Sequence, residues 1–183
     1  MNIRCEISGG LYCAVAGGDV FPVVLFVGSD KVVGDALAPI CGSLLKKMRP
    51  QCFIYGDLQN PVNAKNLQST LDFIKAVHKG HKILVVDASI GKQCDVGKIK
   101  FVAGGISPGK AVGRNFDAVG DFSIIGIVAH RNEKTGGISP VRLFSVVEMA
   151  REIAREIYLC NRSFSARSNP QSKNQTSLVG ICP

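Results

Sequence analysis

No stretch of this chain approaches the roughly 18 consecutive apolar residues that a membrane-spanning helix needs, and no C-x-x-C pair occurs among its seven cysteines. The first absence argues against a membrane protein. The second, with an odd number spread over Cys5, Cys13, Cys41, Cys52, Cys94, Cys160 and Cys182, fits neither a disulfide framework nor a zinc module and points to the reducing cytoplasm. The opening, MNIRCEISGGLYCAVAGG, sets Glu6 beside the only early apolar residues and carries no sustained apolar segment of a secretory signal. Repeats of solenoid or propeller length are missing. Gly91-Lys92 stands without the rest of a phosphate-binding loop. Lysine and arginine outnumber aspartate and glutamate by 22 to 14, for a formal charge of +8, yet they are scattered and not clustered with aromatics. A solvated basic surface is expected from this, not a nucleic-acid module.

What is present is 183 residues, 46% hydrophobic and 20% charged, enough for one ordinary domain with a sizeable core. That domain is expected over 1–160. Residues 161–183, rich in Ser, Asn, Gln and Arg, are expected to form a disordered tail.

Within the domain, Val23–Gly28 reads as a strand followed by a helix near Ala36–Met48, and Cys52–Tyr55 as a short second strand. Asn63 is placed to cap a helix carrying Leu67, Leu71, Ile74 and Val77 near one face. Ile83–Asp87 is almost wholly apolar, as a central parallel strand should be. Lys98–Val102 alternates and suits an edge or partly exposed strand, while Phe122–Ala129 looks central again. A last helix is expected from Ser139, as cap, and Pro140, in the first turn, to about Cys160. Strands alternating with helices predict an α/β fold, a three-layer α/β/α sandwich around a mostly parallel sheet.

In such sheets ligands sit outside the carboxyl ends of the strands, where the strand order reverses. With the common 2-1-3 order, Asp35, after the first strand, and Asp87, closing the third, face one crevice. Two carboxylates held close cannot both ionise cheaply, so the pair tends to share a proton and offers a base and an acid together at neutral pH. That is the minimal equipment for peptide hydrolysis. The same oxygens suit a divalent cation, which would polarise the carbonyl instead. Simpler roles also stand: Asp35 as helix cap, and Asp87 as a turn acid binding the amides of Ala88 and Ser89.

The blocks VGSDKVVGDALAP, YGDLQNPVNAKNL, ILVVDASIG and GGISPGKAVGRNFDAVGDFSIIGIV, with the closing helix, together resemble a sporulation protease family of spore-forming bacteria, related to the germination protease and to the hydrogenase maturation proteases. The resemblance spans Val23 to Tyr158. It implies a catalytic pair at Asp35, in Asp35-Ala36-Leu37-Ala38-Pro39 where the germination protease has Gly in place of Ala38, and at Asp87, in Asp87-Ala88. The block Gly105-Ile106-Ser107-Pro108-Gly109 also recurs there. Its glycines allow close backbone approach, so Ser107 and Gly109 are candidates to line the cleft, with Arg114 beside them for an acidic group; a structural turn is the alternative. In the hydrogenase maturation relatives a histidine joins two acids to hold nickel or a surrogate metal. Here Asn63 stands in the histidine position of some members, which weakens a metal site without excluding a divalent cation.

His78 and His81 end the second helix, where a cation meets the dipole favourably, and His130 follows a central strand toward the crevice. Cys41 and Cys52 read as buried, and Cys94 has no histidine nearby, which argues against a thiol nucleophile. The function expected is a cytoplasmic, sporulation-associated peptidase acting on a protein or peptide substrate through Asp35 and Asp87. A noncatalytic peptide- or partner-binding protein on the same fold is the alternative, and self-association is left open.

Overall fold

Val23–Phe26 are buried without exception, as a strand covered on both faces must be. A computed structural model of the chain describes residues 4–106, 118–132 and 136–168. In chain order its elements are β1 (Arg4–Glu6), α1 (Ser8–Ala16), β2 (Val23–Phe26), α2 (Leu37–Lys47), β3 (Ile54–Tyr55), α3 (Leu67–Val77), β4 (Ile83–Gly91), β5 (Lys98–Ala103), β6 (Phe122–His130) and α4 (Leu143–Ser168). The six strands form one sheet in the order β1-β5-β6-β4-β2-β3, parallel at every pairing except β5 with β6.

Strand alternation sorts the apolar residues between two cores. Val24, Phe26, Leu84, Val86 and Ile124 pack against α1, α2 and α4 through residues such as Leu11, Leu37 and Ile153. Val23, Leu25, Ile83 and Val85 turn the other way, onto Leu67, Leu71 and Ile74 of α3. Among the described residues helices therefore cover both faces, three on one side and one on the other, and the α/β/α sandwich with a mostly parallel sheet is the observed fold.

Several local expectations are corrected. The N-terminal β1 and α1 had no counterpart in the sequence reading. Ile7, Leu11 and Val15 recur every fourth residue and form the buried stripe there, but Gly9-Gly10 obscures it. A Cβ at Gly10 would lie 2.5 Å from the Phe101 ring, so this glycine lets α1 sit down on β5. β5 is not an edge strand, because β1 pairs along it; its half-exposed pattern reflects a thinly covered face.

Asn63 does not cap α3. Its side chain accepts the Lys65 N–H at 3.0 Å in a turn, and the helix starts four residues later at Leu67. Ser139 does not cap α4 either, since its hydroxyl accepts the His130 N–H at 3.1 Å and helical structure begins only at Leu143, beyond Pro140.

At its other end α4 runs to Ser168, past the expected stop near Cys160. Asn161, only 1% exposed, explains the extension: its amide accepts the Gln51 N–H at 2.9 Å and donates to the Gln51 carbonyl at 3.1 Å. This clamp ties the final turns of α4 to the α2–β3 loop, so residues 161–168 belong to the folded unit. The remainder of the expected tail, 169–183, lies outside the described residues. Among the described residues no helix is long and apolar enough to cross a membrane.

Asn161→Ala strands a buried peptide group and should lower unfolding stability by about 2 kcal/mol, read from the urea midpoint at constant slope. Lys79→Ala, at an exposed position, should change it by less than about 0.5 kcal/mol.

Candidate active site

β2 lies between β3 and β4, so the chain leaves β2 in one direction along the sheet and later returns on its other side. The expected reversal of strand order is therefore present between β2 and β4. The two strands pair in parallel from Val23 with Ile83 to Phe26 with Val86. Beyond that pair β2 turns away while β4 continues to Gly91, so Asp87 sits inside a strand and not at its end as expected. At the carboxyl end of β2 one partner thus stops and the other does not.

Asp35 enters from the loop joining β2 to α2. The Ser29 amide donates to the Asp35 main-chain carbonyl at 3.2 Å, closing the loop on itself. Gly28 lies so close to that carbonyl that any side chain there would collide with it. The backbone of Asp35 is thus pressed against the end of β2. The cap position of α2 is occupied by Ala36 with no side-chain hydrogen bond, so the capping role considered for Asp35 is not realised. Burial raises the pKa of the half-buried Asp35 carboxyl, and a hydrogen bond from the Ser29 backbone partly offsets this.

Asp87 pairs with Ile125 of β6 and shares its strand parity with Ile83 and Val85, which aims the side chain toward the α3 face. Its Oδ1 accepts the Ala88 N–H at 2.8 Å, so the local amide bond considered above does exist, though in a strand and not a turn. Burial pushes the carboxyl up to about 7 against that bond, and the charge of Asp35 pushes in the same direction. The two acids, 52 residues apart in sequence, therefore act on each other electrostatically.

Other acids serve structure. Burial raises Asp57, but the Lys46 ammonium and the amides of Asn60 and Gln59 outweigh it and hold that carboxyl below the usual range. Asp121 Oδ2 accepts the Ile83 N–H at 2.8 Å.

His78 departs from expectation. It is buried against Phe53, and its Nε2 meets the Tyr55 hydroxyl at 2.6 Å. Burial and the neighbouring His81 lower its pKa, so the neutral ring is favoured and the helix-dipole role fails. His130 ends β6 five residues beyond the partner of Asp87, about 16 Å along the strand. Burial pushes the Cys52 and Cys160 thiols up to about 12 and raises Cys41 further from neutrality, which removes these three as thiolate nucleophiles.

Ser107, Gly109 and Arg114 lie outside the described residues. Among the described residues no three His, Cys, Asp or Glu side chains gather as metal ligands. A groove of about 350 Å³ lined by Phe21, Phe53, His81 and Phe164 sits at the amino ends of the strands, opposite the acids.

Residues 5–156 match the family described as "Protein of unknown function (DUF1256)". The chain belongs to the DUF1256 family. It is 33% identical over 148 residues to the protein YyaC of Bacillus subtilis (strain 168), a similarity covering 77% of this chain and 70% of that one. Its structure is similar to that of a [NiFe] hydrogenase maturation protease, HycI from Thermococcus kodakarensis KOD1, with a TM-score of 0.54 over 84% of this chain and 99% of the other. At 15% identity this likeness shows a shared fold. The hydrogenase-maturation part of the resemblance is thus met at the level of architecture.

An aspartate in an unfolded chain ionises near 3.9, whereas folded Asp87 holds its proton to about 7. Between those values the folded state binds more protons than the unfolded one, so this group's contribution to stability is lost as pH rises through the window. Asp87→Asn should therefore gain about 4 kcal/mol on wild type between pH 4 and pH 8, measured as urea midpoints at both pH values. An unchanged difference would mean that Asp87 titrates normally.

Proposed function

We propose that this chain is a peptide hydrolase that uses Asp35 and Asp87 as a proton-sharing pair. The observation that carries the reading is the upward displacement of both carboxyls, with Asp35 contributing to that of Asp87, at the point where the strand order reverses. The protease named among its structural neighbours supports a protein substrate. The resemblance described above extends this to a spore protein.

The roles follow from the two environments. Asp87, the more strongly raised, holds a proton near neutrality and suits the general acid that protonates the carbonyl oxygen. Asp35 keeps a hydrogen bond from the Ser29 backbone, which favours its ionised form and suits the base that draws a proton from water. Water attacks the peptide carbon as its proton passes to Asp35 and the Asp87 proton passes to the carbonyl oxygen; Asp35 then gives its proton to the nitrogen as the C–N bond breaks, and Asp87 recovers its own from the hydroxyl of the tetrahedral intermediate. The 105–109 glycine block, with Ser107, Gly109 and Arg114, is assigned to substrate binding on the resemblance alone.

With a spore-protein extract and a peptide pool as substrates, Asp35→Asn and Asp87→Asn should each lower kcat/KM by about 10²- to 10⁴-fold while retaining cooperative unfolding. Activity should decline above pH 7 as Asp87 loses its proton, and should persist in a chelator. Peptide binding without turnover in the wild type, or full turnover in both variants, would refute the hydrolytic reading, the first result favouring a noncatalytic binding protein.

A further inference from the structure

The ladder between β2 and β4 fixes which backbone groups face the side that β2 leaves after Phe26. Val23 donates to the Lys82 carbonyl and Val27 to the Val86 carbonyl, both at 2.9 Å. Even-numbered residues of β4 therefore turn their N–H and C=O groups toward β2, and odd-numbered ones toward β6. β2 ends at Phe26, whereas β4 continues beside β6 to Gly91. By the same alternation Ala88 and Ile90 direct their peptide groups to the side that β2 has left. The Ala88 N–H is taken by Asp87 Oδ1 at 2.8 Å, and the Ile90 carbonyl receives the Ser89 hydroxyl only at 3.4 Å. Among the described residues the Ala88 carbonyl and the Ile90 N–H have no backbone partner on that side.

Proteins block such edges with lysine, proline or an inward charge. Ala88-Ser89-Ile90-Gly91 contains none of these. The loop that follows β2 exposes apolar surface: Val32 is 62% exposed and Val33 42%. Gly34 of that loop reaches β6, where a Cβ would lie 3.2 Å from Val128. Among the described residues, an unpaired strand edge thus follows directly on Asp87, and the loop carrying Asp35 exposes apolar side chains.

We infer that this edge binds an extended peptide by strand addition, the incoming main chain taking the place beside Ala88 and Ile90 that β2 vacates, with apolar side chains at alternate positions against Val32 and Val33. The inference deepens the hydrolase reading and rests on it only for turnover; binding is separate. It names the substrate class as an unfolded segment presented as a strand, recognised first by its backbone.

The test uses the 15N-labelled full chain carrying Asp87→Asn and a capped octapeptide alternating valine with serine or lysine. The Ile90 amide should exchange quickly in the free protein and slow about tenfold on peptide addition. N-methylation of one alternate set of peptide nitrogens should weaken binding about tenfold, and of the other set less than about twofold. Ile90→Pro removes the outward N–H at an edge position that tolerates proline and should weaken binding similarly at an unchanged urea midpoint.

Slow exchange of Ile90 without peptide, equal effects from both N-methyl sets, absence of binding, or a dimer that Ile90→Pro dissociates would overturn the assignment. Alternating recognition without turnover by the wild type would sink the hydrolase reading alone. Turnover without alternation would sink the edge assignment alone.

Discussion

Two hydrogen-bonded strands of unequal length set the terms for the rest of this molecule. β2 and β4 share four register pairs, and then β4 continues without its partner. Both raised carboxyls belong to that step. Asp87 follows the last shared pair on β4, where its carboxyl has lost the shelter of a neighbouring strand without reaching bulk water. The chain leaving β2 has to turn within a few residues to begin α2 on one face of the sheet, and the turn presses Asp35 against Gly28. A longer β2 would close the gap, and a shorter β4 would leave the second acid in solvent.

The acids of this chain divide by what their surroundings do to them. Asp57 and Asp95 are drawn below the ordinary range by lysine partners, with backbone amides adding to the effect at Asp57; each supports a loop. Asp35 and Asp87 move the other way, chiefly through burial. An acid held above its natural pKa costs stability at neutral pH, whereas one held below it contributes stability. Tolerance of that cost at two positions, one of which acts on the other through its charge, is what separates the candidate site from the structural carboxylates.

Much of the architecture was legible because burial writes itself into residue choice. Val23–Phe26 and Ile83–Val86 are continuous apolar runs, as strands covered on both faces require, and the spacing of Leu67, Leu71 and Ile74 marks the buried face of α3, although Val77, expected on that face, is exposed. The alternation of β and α patterns was enough for a mostly parallel sheet. Less was legible at element ends. Asn63 and Ser139 have good capping chemistry, yet their oxygens went to Lys65 and His130, because local turns and a strand end competed for the same acceptors. The polar composition after Cys160 suggested a tail, although one buried amide, Asn161, was enough to keep the helix going.

The amino-acid sequence by itself determined the fold class and nominated Asp35 and Asp87, since hydrophobic periodicity and strand-to-helix junctions are local properties that single residues encode. Tertiary structure alone decided that β4 outruns β2, that His78 is buried beside Tyr55, and that one carboxyl's charge reaches the other. Those outcomes depend on distances between residues remote in the chain and on how much water remains among them. Neither quantity is carried by any one segment: both arise only when strands take their register and helices cover them.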